Sequence, residues 1–345
     1  MGPVRRRRHQ LLAALTGGVV LVLLGAVPAA ADAPGPTDYR SEVTVVEPAA
    51  PGLVAEVLGG DGFLAITVEE GHTVEVPGYS GEPYLRVQAD GTVQENQESA
   101  ATVLNQSRDG TKVTRTFDPE AEPRWETVAT DGRWAWHDHR IHYMGQGTPA
   151  GATTPDGVAW EVPLTVDGTD TLVEGRYRLL DGPSPLPWLA GAVLLAAVVV
   201  GLARLLDPVT AGGLAVLVAG GAGVAAGVAQ RAADPPGVST SPLIVVLPAI
   251  AVVAGVIAVM QRDRVLRAVA VLAGAAAAGG WALIRLPVLW NAELPTSLPA
   301  PADRAATAVA LGSAVGAAVV AVRSGALSPP PGEAAPPPRD PADAA

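Results

Sequence analysis

The stretch Trp134-Ala135-Trp136-His137-Asp138-His139-Arg140-Ile141-His142-Tyr143-Met144 holds three of the chain's five histidines and two of its seven tryptophans. Neutral imidazole is a ligand for copper, zinc or nickel, and a thioether such as Met144 favours Cu(I). Read as a strand over residues 133–142, the stretch puts His137 and His139 on one face with Arg133, Ala135 and Ile141. Their Cα atoms are then about 6.5–7 Å apart, a spacing from which two imidazoles converge on one ion. His142 has the opposite parity and joins them only where the strand bulges or ends. His72, Met144 or an acidic side chain could complete the set. Asp138 points to the other face and orients a ligand only if the strand twists. The metal candidates are therefore His137, His139 and His142, with copper as the ion.

A structural reading of the same residues stands beside this one. Trp134 and Trp136 suit a core, Asp138 and Arg140 are placed to pair, and the histidines suit hydrogen bonds to loops or contact with a partner. No serine or acid stands in a catalytic arrangement with these histidines. Gly145-Gln146-Gly147 precedes no helix start, so it is no phosphate loop. The sequence names no catalytic residue, and a non-enzymatic protein without an organic cofactor is expected.

The elements that must position this stretch read as β-structure over about residues 40–182. Candidate strands are 41–47, 53–58, 63–68, 73–76, 84–88, 92–95, 124–128, 133–142, 158–166 and 171–180. Gly59-Gly60-Asp61-Gly62, Ala89-Asp90-Gly91, Ala129-Thr130-Asp131-Gly132 and Asp167-Gly168-Thr169-Asp170 supply turns. Short strands at this spacing predict an immunoglobulin-like antiparallel sandwich over 32–187. Its expected core is Val45, Val54, Phe63, Leu64, Ile66, Leu85, Trp125, Trp160 and Leu164. Residues 96–123 and 145–157 read as loops.

Five apolar segments follow, at 188–206, 209–229, 242–260, 267–287 and 305–322, each near the roughly 20 residues that cross a bilayer core. Before the β-region, Arg5-Arg6-Arg7-Arg8, the apolar run 11–27 and Ala29-Ala30-Ala31 have the layout of a signal peptide over 1–31, with a mature start at Asp32. The β-domain is then extracytoplasmic. Arg204, Arg262, Arg264, Arg267 and Arg323 fall in inner segments, against Arg231 and Arg304 outside. The C-terminus is then cytoplasmic in a multi-pass protein of the cell membrane. Trp188, Trp281 and Trp290 fall toward the outer interface, and Arg285 is expected to snorkel to the headgroups. The outer loop 291–299 is long for a turn and is placed to pack under the exported domain. Gly223–Gly227 and Gly312–Gly316 are small-xxx-small spacings that let helices approach closely. The Pro-rich segment 323–345 reads as a disordered tail.

The formal net charge is −11, and residues 32–187 hold 26 of the 34 acidic side chains but only 10 of the 23 basic ones. That argues against nucleic acid, whose binding needs a basic face. There is no cysteine, so disulfides and acylated cysteines are excluded.

The exported β-domain with its Trp-Ala-Trp-His-Asp-His-Arg-Ile-His stretch, the later Trp160-Glu161-Val162-Pro163-Leu164, and the Ala/Val-rich helices resemble actinobacterial membrane proteins. In layout alone, a β-domain ahead of a helical bundle, the chain is similar to bacterial copper-handling CopC–CopD fusions. Those proteins carry a histidine at the mature N-terminus, where Asp32 stands here, and histidines in the membrane part, which has none. No residue role is carried over. The expected partners are the bilayer and an extracytoplasmic protein or ligand, with a metal ion, copper, as the alternative.

Overall fold

The computed structural model describes residues 33–110, 115–145 and 147–327. The expected signal peptide and residues 328–345 of the expected tail lie outside them. An antiparallel β-region comes first. Its strands are β1 (Tyr39–Glu47), β2 (Leu53–Leu58), β3 (Phe63–Val68), β4 (Val74–Pro77), β5 (Pro83–Val87), β6 (Val93–Asn96), β7 (Trp125–Ala129), β8 (Arg133–Trp136), β9 (Val158–Val166) and β10 (Thr169–Leu179). A short helix, α1 (Ala100–Leu104), interrupts the loop after β6, with the Ser99 hydroxyl accepting from Ala101 N at its start. Seven strands form one sheet in the order β1-β10-β9-β4-β5-β6-β7, and three form another in the order β2-β3-β8.

Local sequence explains these joints. Asp167 and Gly168 both adopt positive φ, 50° and 78°, and join β9 to β10 as a two-residue turn of the Asp-Gly type. The 129–132 turn does not close a hairpin. β7 pairs with β6 while β8 pairs with β3, so the chain changes sheet there. Gly132 stitches the crossing: its N–H donates to Gly91 O and its carbonyl accepts from Val68 N, both at 2.9 Å.

One apolar core takes side chains from both sheets. Leu64, Ile66, Val68 and Trp136 come from the smaller sheet, and Val74, Leu85, Val87, Trp160, Val162, Leu164 and Val173 from the larger. Burying such side chains contributes roughly 1.5–3 kcal/mol each, which stabilises a domain without disulfides. Three expected core residues fall elsewhere. Val54 is 60 % exposed because β2 turns Leu53, Ala55 and Val57 inward instead. Val45 is exposed beyond an irregularity between Val43 and Val45 in β1. Trp125 is half-buried on the edge strand β7, beneath the Arg86 guanidinium at 4.2 Å.

A helical region follows: α2 (Leu186–Leu202), α3 (Pro208–Arg231), α4 (Leu243–Met260), α5 (Arg264–Ile284), a 3-10 turn (Leu286–Leu289) and α6 (Ala300–Arg323). Four of these, α3 to α6, are long and apolar enough to cross a membrane, which marks a membrane protein; α2 is apolar but has 17 residues. Asp207 and Asp263 cap α3 and α5 through their carboxylates. The small-residue spacings work inside the chain. Gly312 lies on the Ala192 backbone and Gly316 on Val199, joining α6 to α2, while Gly223 and Gly227 seat Pro248 and Ile244 of α4.

The β-region is docked on one end of the helices. Thr37 and Glu293 exchange backbone hydrogen bonds of 3.1 and 2.8 Å, Arg40 pairs with the Glu293 carboxylate, and the Asp38 carboxylate accepts from Ala292 N at 2.8 Å. The long loop 291–299 thus packs under the β-domain, as its length suggested. Nearby, Phe63 and Ala135 share a small cluster with Val238 from the α3–α4 loop.

Two other expectations change. Trp281 is fully buried, its indole N–H donating to Ile244 O at 2.7 Å, because α5 faces α4 there. Arg285 does not snorkel. It is 4 % exposed and turns inward to Asp303, with which it makes 2.6 and 2.7 Å hydrogen bonds, and to Gln230.

Candidate functional site

Strand β8 ends at Trp136, so the same-face argument for His137 and His139 falls. Two side-chain demands end the strand. The Trp136 indole N–H donates to Asp138 Oδ2 at 2.8 Å, and the Asp138 carboxylate takes Arg140 N at 3.0 Å, Nε at 2.8 Å and Nη2 at 2.6 Å. An aspartate that binds the backbone two residues on favours a turn over a ladder. Ile141 N then closes onto Asp138 O at 3.2 Å. Asp138 is fully buried and pairs with Arg140, as its spacing suggested.

The turn sends the three histidines to different neighbours. His137 points into the smaller sheet, where its Nδ1–H donates to Gly62 O at 2.6 Å and its ring lies 3.9 Å from the Phe63 ring. His139 stacks on Tyr79 at 5.7 Å, its backbone N–H donates to the Tyr79 hydroxyl at 3.0 Å, and its Nε2 lies 3.2 Å from Ser107 O. His142 follows: its Nε2 is 3.0 Å from Arg108 O and 3.0 Å from Met144 Sδ. The His139 and His142 rings stand edge to face at 5.5 Å. His142 is 7 % exposed, and its Nδ1 has no hydrogen-bond partner. Burial, with Arg108 and His139 close by, pulls its pKa down to about 4, so the ring is a neutral imidazole near neutral pH. Among the described residues, no group of three or more His, Asp or Glu side chains is arranged to hold a metal. His72 is remote from this set in role. It sits at 2.7 Å on Asp167 beside the β9–β10 turn.

Beside His142 and Met144 opens a cleft of about 470 Å³, lined by Tyr39, Arg108, Asp109, Tyr143, Met144, Gly145, Gly147, Thr148 and Tyr177. Three of the chain's five tyrosines line it. Tyr39 and Tyr177, from the paired strands β1 and β10, stack at 5.1 Å and 15°. Burial pushes the Tyr177 hydroxyl further above its ordinary value, so it stays a protonated hydrogen-bonding group. Arg108 enters from the loop after α1 and pairs with the buried Asp61 carboxylate, whose own pKa burial raises against the pull of Arg108. Tyr143 and Met144 are exposed at the mouth. Its wall is polar as well as aromatic: the tyrosine rings alternate with the Arg108 guanidinium, the Asp109 carboxylate and the Thr148 hydroxyl, groups that can hydrogen-bond a polar occupant.

Sequence reasoning missed this cleft. Its walls come from residues 39, 108–109, 143–148 and 177, which only the β1–β10 pairing and the loop after α1 bring together. The one available signal was the Arg108-Asp109-Gly110 turn within an otherwise unpatterned loop. Comparison of the chain with protein-family models, with curated proteins and with solved structures finds no match.

Proposed function

We propose that this is a membrane-anchored, non-enzymatic binding protein, whose extracytoplasmic β-domain takes an extended segment of a partner polypeptide into the tyrosine-lined cleft. The observation that carries the reading is the cleft itself, with its stacked Tyr39–Tyr177 pair and exposed Tyr143. Tyrosines give large contact area at low conformational cost and leave a hydroxyl to hydrogen-bond a peptide group. Asp38, which ties the β-domain to the helices through Ala292, adjoins the cleft wall at Tyr39, so the bound segment lies near the membrane.

In this reading the two sheets are an immunoglobulin-like sandwich closed on their shared core. All five helices α2 to α6 cross the cell membrane, α2 being lengthened by the turn at 203–206. The N-terminal segment 1–31 is the export signal and the C-terminus is cytoplasmic. Arginines 204, 262, 264, 267 and 323 all fall at the helix ends away from the β-domain, which supports that orientation.

The test is a photo-crosslinking amino acid placed at Tyr143 in the full-length protein in cells. One discrete adduct with an extracytoplasmic polypeptide is expected, lost on Tyr177→Ala, and absent when the crosslinker stands at the exposed Val54. No adduct at Tyr143, or the same adduct from Val54, contradicts the reading.

A further inference from the structure

We infer that the cleft selects a basic side chain of the bound segment, whose cationic head lies against the rings of Tyr39 and Tyr143 and beside the Asp109 carboxylate. This selectivity rests on the peptide-binding role of the cleft and names the side chain recognised there.

Aromatic rings elsewhere in the chain repeatedly carry a guanidinium. Arg86 lies 4.2 Å from the Trp125 ring centre, Arg115 4.2 Å from that of Phe117 and Arg140 5.2 Å from that of Tyr79. Among the described residues, no guanidinium is placed over Tyr39 or Tyr143 in this way. Tyr177 is buried and backs Tyr39 by stacking at 5.1 Å, which fixes that ring in the wall. Tyr143 is 40 % exposed at the mouth, and its ring lies over Gly145, where a side chain would displace it.

The charges at the wall do not cancel. Arg108 is committed to Asp61: its Nε donates to Oδ1 at 3.2 Å and its Nη2 pairs with Oδ2. Asp61 itself has no exposed surface. Asp109 has a long contact of 3.6 Å to Arg108 Nη1, and its side chain is 92 % exposed. One guanidinium therefore faces two carboxylates, and the excess negative charge stands on the solvent side. The arginines that flank the tyrosines in sequence do not fill it, because Arg40 and Arg178 pair with Glu42 and Glu293. A cation placed here is attracted by the ring faces and by a charge-assisted hydrogen bond to Asp109. Its methylene stem can lie along the tyrosine rings. An acidic side chain would meet Asp109 as a like charge. The acidic excess of residues 32–187 also draws a basic segment toward the domain from a distance.

The test is isothermal titration calorimetry of the full-length protein in a maltoside detergent. The probes are the acetylated and amidated peptide Ser-Ala-Arg-Ala-Ser and the same peptide with citrulline or glutamate at its centre. Citrulline keeps the shape of arginine and lacks its charge. The arginine peptide is expected to bind about fivefold more tightly than the citrulline peptide, the scale of one exposed cation–π contact, and the glutamate peptide to bind weakest. Asp109→Asn and Tyr143→Leu should each remove most of that preference. Asp170→Asn, an equal charge change at an exposed position near the opposite end of β10 from Tyr177, should keep it. Equal binding of the arginine and citrulline peptides, or a preference that survives Asp109→Asn or falls equally with Asp170→Asn, overturns the assignment and leaves the peptide-binding role standing. Loss of arginine-peptide binding when phosphatidylcholine is added to the micelle would place a lipid headgroup on the rings and overturn it as well. Binding of none of the three peptides at millimolar concentration contradicts the peptide-binding role and the assignment with it.

Discussion

Asp303 has no exposed surface, and its two carboxylate oxygens both accept from Arg285 Nη2. Arg285 also reaches Gln230 and lies 5.1 Å over the Trp281 ring, so three helices meet on one guanidinium. Removing one partner of such a pair leaves an uncompensated buried charge. Asp303→Ala is therefore expected to cost about 3–5 kcal/mol, read as a lowered midpoint of thermal unfolding in detergent. An unchanged midpoint would show that the guanidinium finds water instead. In the β-region, Glu95 carries a second legible charge effect. Burial raises its carboxyl to about 6, even though Tyr84 donates to it at 3.1 Å. The folded state then holds the proton more tightly than the unfolded chain. Stability from this group is present below its ordinary value near 4.5 and is lost as pH rises through 6. Glu95→Gln should gain up to about 2 kcal/mol at pH 7 and nothing at pH 4, measured by denaturant unfolding at the two pH values.

At the scale of elements, most strands were legible because alternation and turn residues agree. The two-residue Asp167-Gly168 turn and the alternating β9 and β10 are examples. Three features were not legible, each for a physical reason. The strand through His142 failed because local hydrogen bonds of Asp138 outcompete the ladder, a choice that side-chain parity does not register. The 129–132 turn looks like a hairpin in sequence, yet Gly132 hands the chain from one sheet to the other. Trp281 is expected at the outer interface and Arg285 at the headgroups, yet both turn into the bundle, because hydropathy locates a residue in depth but not around the helix. The helix contacts themselves follow from small residues. A side chain at Gly312 would meet the Ala192 backbone, whereas Gly221 faces open space. Gly312→Leu should separate α2 from α6 and cost about 1–3 kcal/mol, with Gly221→Leu nearly silent by the same unfolding assay. Equal effects of the two changes would remove the packing role from Gly312.

At the scale of the whole molecule, the β-domain and the helices are one connected object. Thr37, Asp38 and Arg40 fasten the start of β1 to residues 292 and 293. Arg304 of α6 holds that same loop from below, donating to Val288 O at 3.1 Å and Asn291 O at 2.7 Å. The cleft was out of reach of sequence reasoning because it forms only after β1 and β10 have paired. The account's central claim is that this cleft opens to the exterior of a cell whose membrane the helices cross. The chain's lack of cysteine makes a direct test simple. Single cysteines are introduced as Thr148→Cys at the cleft and Leu327→Cys beyond α6, and intact cells are treated with a membrane-impermeant maleimide. The account predicts labelling at position 148 in intact cells, and at 327 only after permeabilisation. Labelling of 327 in intact cells, or protection of 148 until the membrane is opened, would contradict it.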